Sequence, residues 1–155
     1  MPGIDPAVLA EIQAFEAAED YEDPRYMELL IQHHYVYHVL RMPYEEWPDP
    51  VNRGFKHINP DIYIPMQGPS ELGASGKLLE WDRTDDLEKT ETASLIIGAQ
   101  HDTMNLDHME WMARQMPNGR SLHCPNDSHM AFFDDHQHFF RGLVQFVKDV
   151  DAGRL

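Results

Sequence analysis

Thiols and positive charge are both scarce in this sequence of 155 residues. Cys124 is the single cysteine, which excludes an internal disulfide and a cysteine-rich zinc site. A lone thiol fits a reducing compartment, and a soluble, cytoplasmic chain is expected. Only 12 basic side chains stand against 27 acidic ones, giving a formal net charge of −15. Such a field repels polyanions, so neither a nucleic acid nor an anionic membrane is expected as partner. No apolar run approaches the roughly 18 residues of a membrane span. The opening stretch MPGIDPAVLAE has neither the basic nor the apolar region of a signal peptide. Internal repeats and low-complexity segments are absent too. What is present is ample apolar material, 42% of residues, which suffices for one globular core or for a piece of a larger one.

Asp5 and Pro6 form a cap and first-turn signal, after which Val8, Ile12 and Phe15 recur at helical spacing as far as Asp20. Asp23 and Pro24 repeat the signal and open a longer helix. Its expected inner face carries Met27, Leu30, Ile31, His34, Tyr37 and His38, and Pro43 closes it. Residues 43–76 hold six prolines and several glycines and read as loops and short turns. GASGK, 73–77, marks the expected boundary between a helical region, 1–76, and a second region, 77–155. In the second region ASLIIG reads as a buried strand and LDHMEWMARQM as a helix with Leu106, Met109, Ala113 and Met116 inward. RSLHC reads as another strand. A last helix follows Asp134 and Asp135, with a broad apolar face from Phe139 to Val150 suited to covering a sheet. Strand, helix, strand, helix is the order of a parallel α/β sheet, and two such strands read as the edge of a larger one.

In open α/β sheets the functional groups lie beyond the carboxyl ends of the strands. Asp102 follows the first strand and His129 the second, so both are expected on one rim. A carboxylate that accepts a hydrogen bond from an imidazole N–H fixes the tautomer and prepares the other ring nitrogen as general base. The alternative is that Asp102 caps the next helix and His129 is an ordinary loop residue. His34 and His38, one helical turn apart, could share a metal ion, but spacing supplies no further ligand and there is no HExxH pattern. His136 and His138 read as solvated or packing residues, and His101 and Asp127 as loop shapers. Glu71, in QGPSELG, is a lone acid among turn residues, which on position alone is a solvated carboxylate.

Three stretches in order and spacing, YIPMQGPSELGASGKLLEWD, IIGAQHDTM and CPNDSHMAFFDD, resemble the C-terminal half of the prolyl iminopeptidases. These are α/β-hydrolase serine enzymes, grouped with amino-acid amidases. DYEDPRYMELLIQHHYVYHVLRMP resembles the helical cap of the same family, so the resemblance covers nearly the whole chain. It implies an α/β fold class: the C-terminal part of an α/β-hydrolase fold, with residues 1–76 as helical cap and 77–155 as the end of the core. It implies Asp102 as triad acid, His129 as triad base, and Glu71 as the group that meets the free amine of a small peptide or amino-acid amide. A buried carboxylate forms a charge-assisted hydrogen bond with such a cation. Thr103 stands where some relatives carry a second amine-binding acid, and it is counted with the substrate-binding residues. No cofactor or metal is implied.

The family order is Ser, Asp, His, with the serine in a G-x-S-x-G elbow and oxyanion donors from an earlier glycine-rich loop. Neither feature occurs here; Ser75 sits in GASGK. The expectation is therefore a C-terminal fragment that lacks the N-terminal core strands and the nucleophile. Such a fragment is inactive alone and needs the missing half, or self-association, to fold. A non-catalytic interaction module is the competing reading.

Overall fold

The computed structural model describes residues 3–155; Met1 and Pro2, the first two of the opening stretch, lie outside them. The chain divides into two compact units, one ending at Trp81 and one running from Asp82 to Leu155.

In the first unit the helix α1 (Pro6–Ala17) starts where Asp5 accepts a hydrogen bond from the backbone N–H of Ala7, with Pro6 in the first turn. Asp23 does the same for α2 (Pro24–Leu30) through the N–H of Arg25. The helix runs on through one π-helical stretch, Ile31–Tyr35, into α3 (Val36–His38). The buried face is rotated from the expected one: Tyr26, Leu29, Leu30, His34, Tyr35, Val39 and Leu40 are buried, while Met27 and Tyr37 are exposed. The wider π turn puts an extra residue into the helix, so a fixed 3.6-residue stripe cannot describe both of its halves.

Residues 43–76 are more ordered than their proline content suggests. They form α4 (Asp49–Lys56) and α5 (Pro60–Met66), each with a proline in its first turn. A proline there loses no hydrogen bond and presets the backbone, so Pro50 and Pro60 start helices where a loop was expected. Asn59 caps α5 by accepting from the N–H of Asp61. Beyond α5, the N–H groups of Ser75 and Gly76 donate to the carbonyl of Gln67, and a short 3-10 turn, Lys77–Glu80, follows. These bonds hold GASGK to the first unit, so the division falls after Trp81.

In the second unit the strands β1 (Ser94–Ala99) and β2 (Gly119–Cys124) pair in parallel, from Ser94 opposite Gly119 to Ala99 opposite Cys124. The crossover is α6 (Leu106–Gln115). A one-turn helix, α7 (Ala131–Asp134), leads into α8 (His136–Asp151). The core gathers Ala99, Cys124 and Ala131 with Ile97, Leu122 and Phe139. Leu95, Ile96 and Ile97, expected to be buried, are only partly so, because the sheet has two strands among the described residues. For the same reason α8 turns Phe139, Leu143, Phe146 and Val150 partly inward, while Phe140, Val144 and Val147 remain 43–48% exposed. No helix of the described residues is long and apolar enough to cross a membrane.

Candidate active site

Both strands of the second unit end on one rim, and backbone bonds extend their pairing into the loops beyond. The N–H of Gln100 donates to the carbonyl of Cys124 at 3.0 Å, and that of His101 to the carbonyl of Asp127 at 2.9 Å. The loop carrying Asp102 is thereby tied to the loop carrying His129. Across it the imidazole Nδ1 of His129 lies 3.3 Å from each carboxylate oxygen of Asp102. An ionised carboxylate can only accept, so Nδ1 carries the hydrogen and the ring's basic nitrogen is Nε2. Burial opposes the charge on Asp102, yet the hydrogen bond and charge of His129 outweigh it, aided by the Met104 N–H and the Thr103 hydroxyl. The carboxyl is held below its usual range. Asp102 is mostly enclosed while His129 is 40% exposed. The capping alternative for Asp102 fails, since Asn105 caps α6 by accepting from the N–H of His108 at 2.9 Å.

Thr103 donates its hydroxyl to Asp102 at 3.3 Å, so its visible partner is the acid of this pair. Glu71 lies in the other unit. Its N–H donates to the Tyr35 hydroxyl at 3.3 Å and its carbonyl faces His34 Nε2 at 3.2 Å, while the Tyr63 hydroxyl donates to Oε1. Burial, then the hydrogen bond and charge of Glu71, push the Tyr63 phenol well above its ordinary value. Burial pushes Tyr35 up to about 12. Both stay protonated near neutrality, and Glu71 is a fixed, half-buried carboxylate rather than a solvated one. Gly68 opens this turn at φ +111°, where a Cβ would also stand 2.1 Å from the Ser75 hydroxyl.

The proline iminopeptidase of Elizabethkingia meningoseptica is 47% identical over 149 residues, covering 95% of this chain and 49% of that protein. By sequence, the chain belongs to the proline iminopeptidase family. It spans about half the length of the curated relatives it matches. The crystal structure of proline iminopeptidase from Mycobacterium smegmatis superposes with a TM-score of 0.76 at 25% identity, over 96% of this chain and 50% of that one. The crystal structure of VinJ, at 22% identity, gives 0.83 over 94% and 49%, and supports the fold, part of an α/β-hydrolase fold. No protein-family model matches the chain.

Several residues around the iminopeptidase-like motifs escaped sequence reasoning. Tyr63 and Tyr35 hold Glu71, yet both lie in family-like stretches from which only Glu71 is singled out by sequence. Asp127, taken as a loop shaper, is buried with neither carboxylate oxygen hydrogen-bonded. Burial, with Asp134 and Asp135 nearby, raises its carboxyl above the ordinary range. It neighbours Cys124, whose thiol burial pushes up to about 12, so that sulfur is no nucleophile at neutral pH. His34 and His38 lie with ring centroids 4.9 Å apart, but no group of three or more potential metal-ligating side chains occurs among the described residues. Since His34 Nε2 donates to a carbonyl, Nδ1 is left a bare acceptor, buried without a partner. Burial holds that imidazole neutral by lowering its pKa. His138 Nε2 bonds to the carbonyl of His123, a packing role.

Proposed function

We propose that this chain supplies the acid and the base of a serine hydrolase that releases an N-terminal proline, or another amino acid, from short peptides or amides. The observation that carries the reading is the Asp102–His129 pair on the rim of a parallel sheet, with Nδ1 directed at the carboxylate. In such a site a serine attacks the scissile carbonyl while His129 Nε2 takes its proton. His129 then protonates the leaving amine, and water releases the acyl group by the same route. Asp102 keeps the tautomer and stabilises the imidazolium. Glu71 is assigned the substrate's free amine, which would exclude N-blocked substrates. The reading rests on its family motif and on its fixed, half-buried carboxylate. The 155 residues contain no G-x-S-x-G elbow, so the nucleophile must come from other residues. A reducing, cytoplasmic setting suits the single buried thiol.

The test is release of a chromophore from a prolyl anilide. We expect none from the purified chain. Turnover is expected when the chain is co-expressed with the half of the Elizabethkingia meningoseptica relative that it does not match. His129→Ala should abolish that turnover, and Asp102→Asn should lower it by roughly 10⁴-fold. Release by the chain alone, blocked by a serine reagent, would refute the need for an outside nucleophile. Complemented turnover indifferent to His129→Ala would refute the pair. Cleavage of amides in preference to dipeptides would move the reading to an amino-acid amidase, which Thr103, in place of a second acid, leaves equally accessible.

A second reading is favoured by the exposed apolar residues Phe140, Val144 and Val147 on α8. On it the chain acts as an interaction module whose apolar face is covered by further polypeptide.

A further inference from the structure

His129 lies in a loop, and an orienting carboxylate works only if the loop holds the ring within hydrogen-bonding reach of it. The upstream side of that loop is fixed by the His101 N–H on the Asp127 carbonyl. The downstream side is fixed differently. Ser128, the residue next to His129, is fully buried. Its backbone N–H and its hydroxyl both donate to one oxygen of Asp134, Oδ2, at 2.7 and 2.6 Å. Asp134 is itself anchored: its N–H donates to the Met130 carbonyl, and α7, which it ends, buries Ala131 in the core against Ala99 and Cys124.

We propose that Asp134 is a positioning residue for the base, holding His129 against Asp102 through its two hydrogen bonds to Ser128. The inference rests on the reading of Asp102 and His129 as a catalytic pair, and nothing in that reading requires Asp134. Hydrogen bonds to a charged acceptor are roughly twice as strong as neutral ones, and two of them on one residue fix its backbone and its side chain together. A capping aspartate bonds to the turn that follows it. This one reaches back to the residue that delivers the imidazole.

The experiment is an NMR titration of the His129 ring protons in the 155-residue protein. Asp102 is the acid bonded to the ring, Asp127, Asp134 and Asp135 are acids of the same loop and of the turn after it, and each variant changes at most one of the four. Asp102→Asn removes the partner charge and should lower the His129 midpoint. Asp134→Ala should reproduce most of that shift, because the ring is no longer held to Asp102. Asp134→Asn removes the same charge but keeps an acceptor for both donors, and should shift the midpoint much less. Ser128→Ala leaves every charge in place, removes one of the two bonds, and should give a smaller shift of the same sign. Wild-type titration in Asp134→Ala and Ser128→Ala, with Asp102→Asn shifted, would overturn the positioning role and leave the pair intact. Equal shifts in Asp134→Ala and Asp134→Asn would assign the effect to charge and overturn it too. An unshifted Asp102→Asn would sink the pair itself. Should Asp134→Ala not fold, Ser128→Ala decides, an unshifted midpoint there counting against the proposal.

Discussion

Asp102 and Asp127 are acids on the same rim whose surroundings drive them in opposite directions. Asp102 is held below the ordinary carboxylate value of 3.8 by His129 and two further donors. The stability it contributes is complete above pH 3.8 and is lost as pH falls through its lower folded-state value. Asp127, buried with only the Cys124 thiol beside its carboxyl and with Asp134 and Asp135 nearby, is raised above 3.8. Its contribution is complete below 3.8 and is lost as pH rises to its higher folded-state value. Asp127→Asn should therefore raise the thermal midpoint at neutral pH, with the gain shrinking as pH falls and gone below 3.8. Thermal melts followed by circular dichroism across that range check this, and an equal gain at pH 3 would contradict it. Asp102 was legible as a candidate acid because it follows a strand and stands in a family-like motif. Asp127 was not, because burial of a loop carboxylate depends on which side chains close over it.

At the scale of elements, helix starts were readable wherever an acid preceded a proline, since cap and first turn are written in adjacent residues. Pro60 follows the capping Asn59 and Pro50 follows Asp49, which is already helical and makes no cap bond, so neither repeats the signal of a capping acid before a proline, and both sit among other prolines. The face of the α2–α3 helix was misjudged because a π turn is a tertiary accommodation with no residue signature of its own. The α/β unit was read correctly in order and parallel sense, and its packing is tight where α6 meets β2. A Cβ on Gly119 would stand 2.1 Å from the Ala113 carbonyl and 2.9 Å from the Met116 Cβ. Gly119→Ala should destabilise the second unit by about 1–3 kcal/mol, as overpacking commonly does. A lower urea midpoint with an unchanged slope is the expected result.

For the molecule as a whole, a charge of −15 works against an uncovered apolar face. Phe140, Val144 and Val147 project from α8, and β1 shows only partial burial. Like charge keeps copies apart, and salt screens it within about 10 Å at 0.1 M. Sedimentation should thus show self-association that grows with ionic strength, and Val144→Lys should weaken it. A monomer at all salt concentrations would mean the face needs no cover. The sequence by itself determined the family, the order of the elements and the residues proposed as acid and base, because strand ends, caps and motifs are local and survive in one dimension. Only the tertiary structure decided that Asp102 and His129, 27 residues apart, lie within hydrogen-bonding reach. It also decided that Tyr63 and Tyr35 hold Glu71, and that Asp134 grips Ser128. Such contacts depend on distances and burial that a folded backbone sets, and no spacing along the chain encodes them.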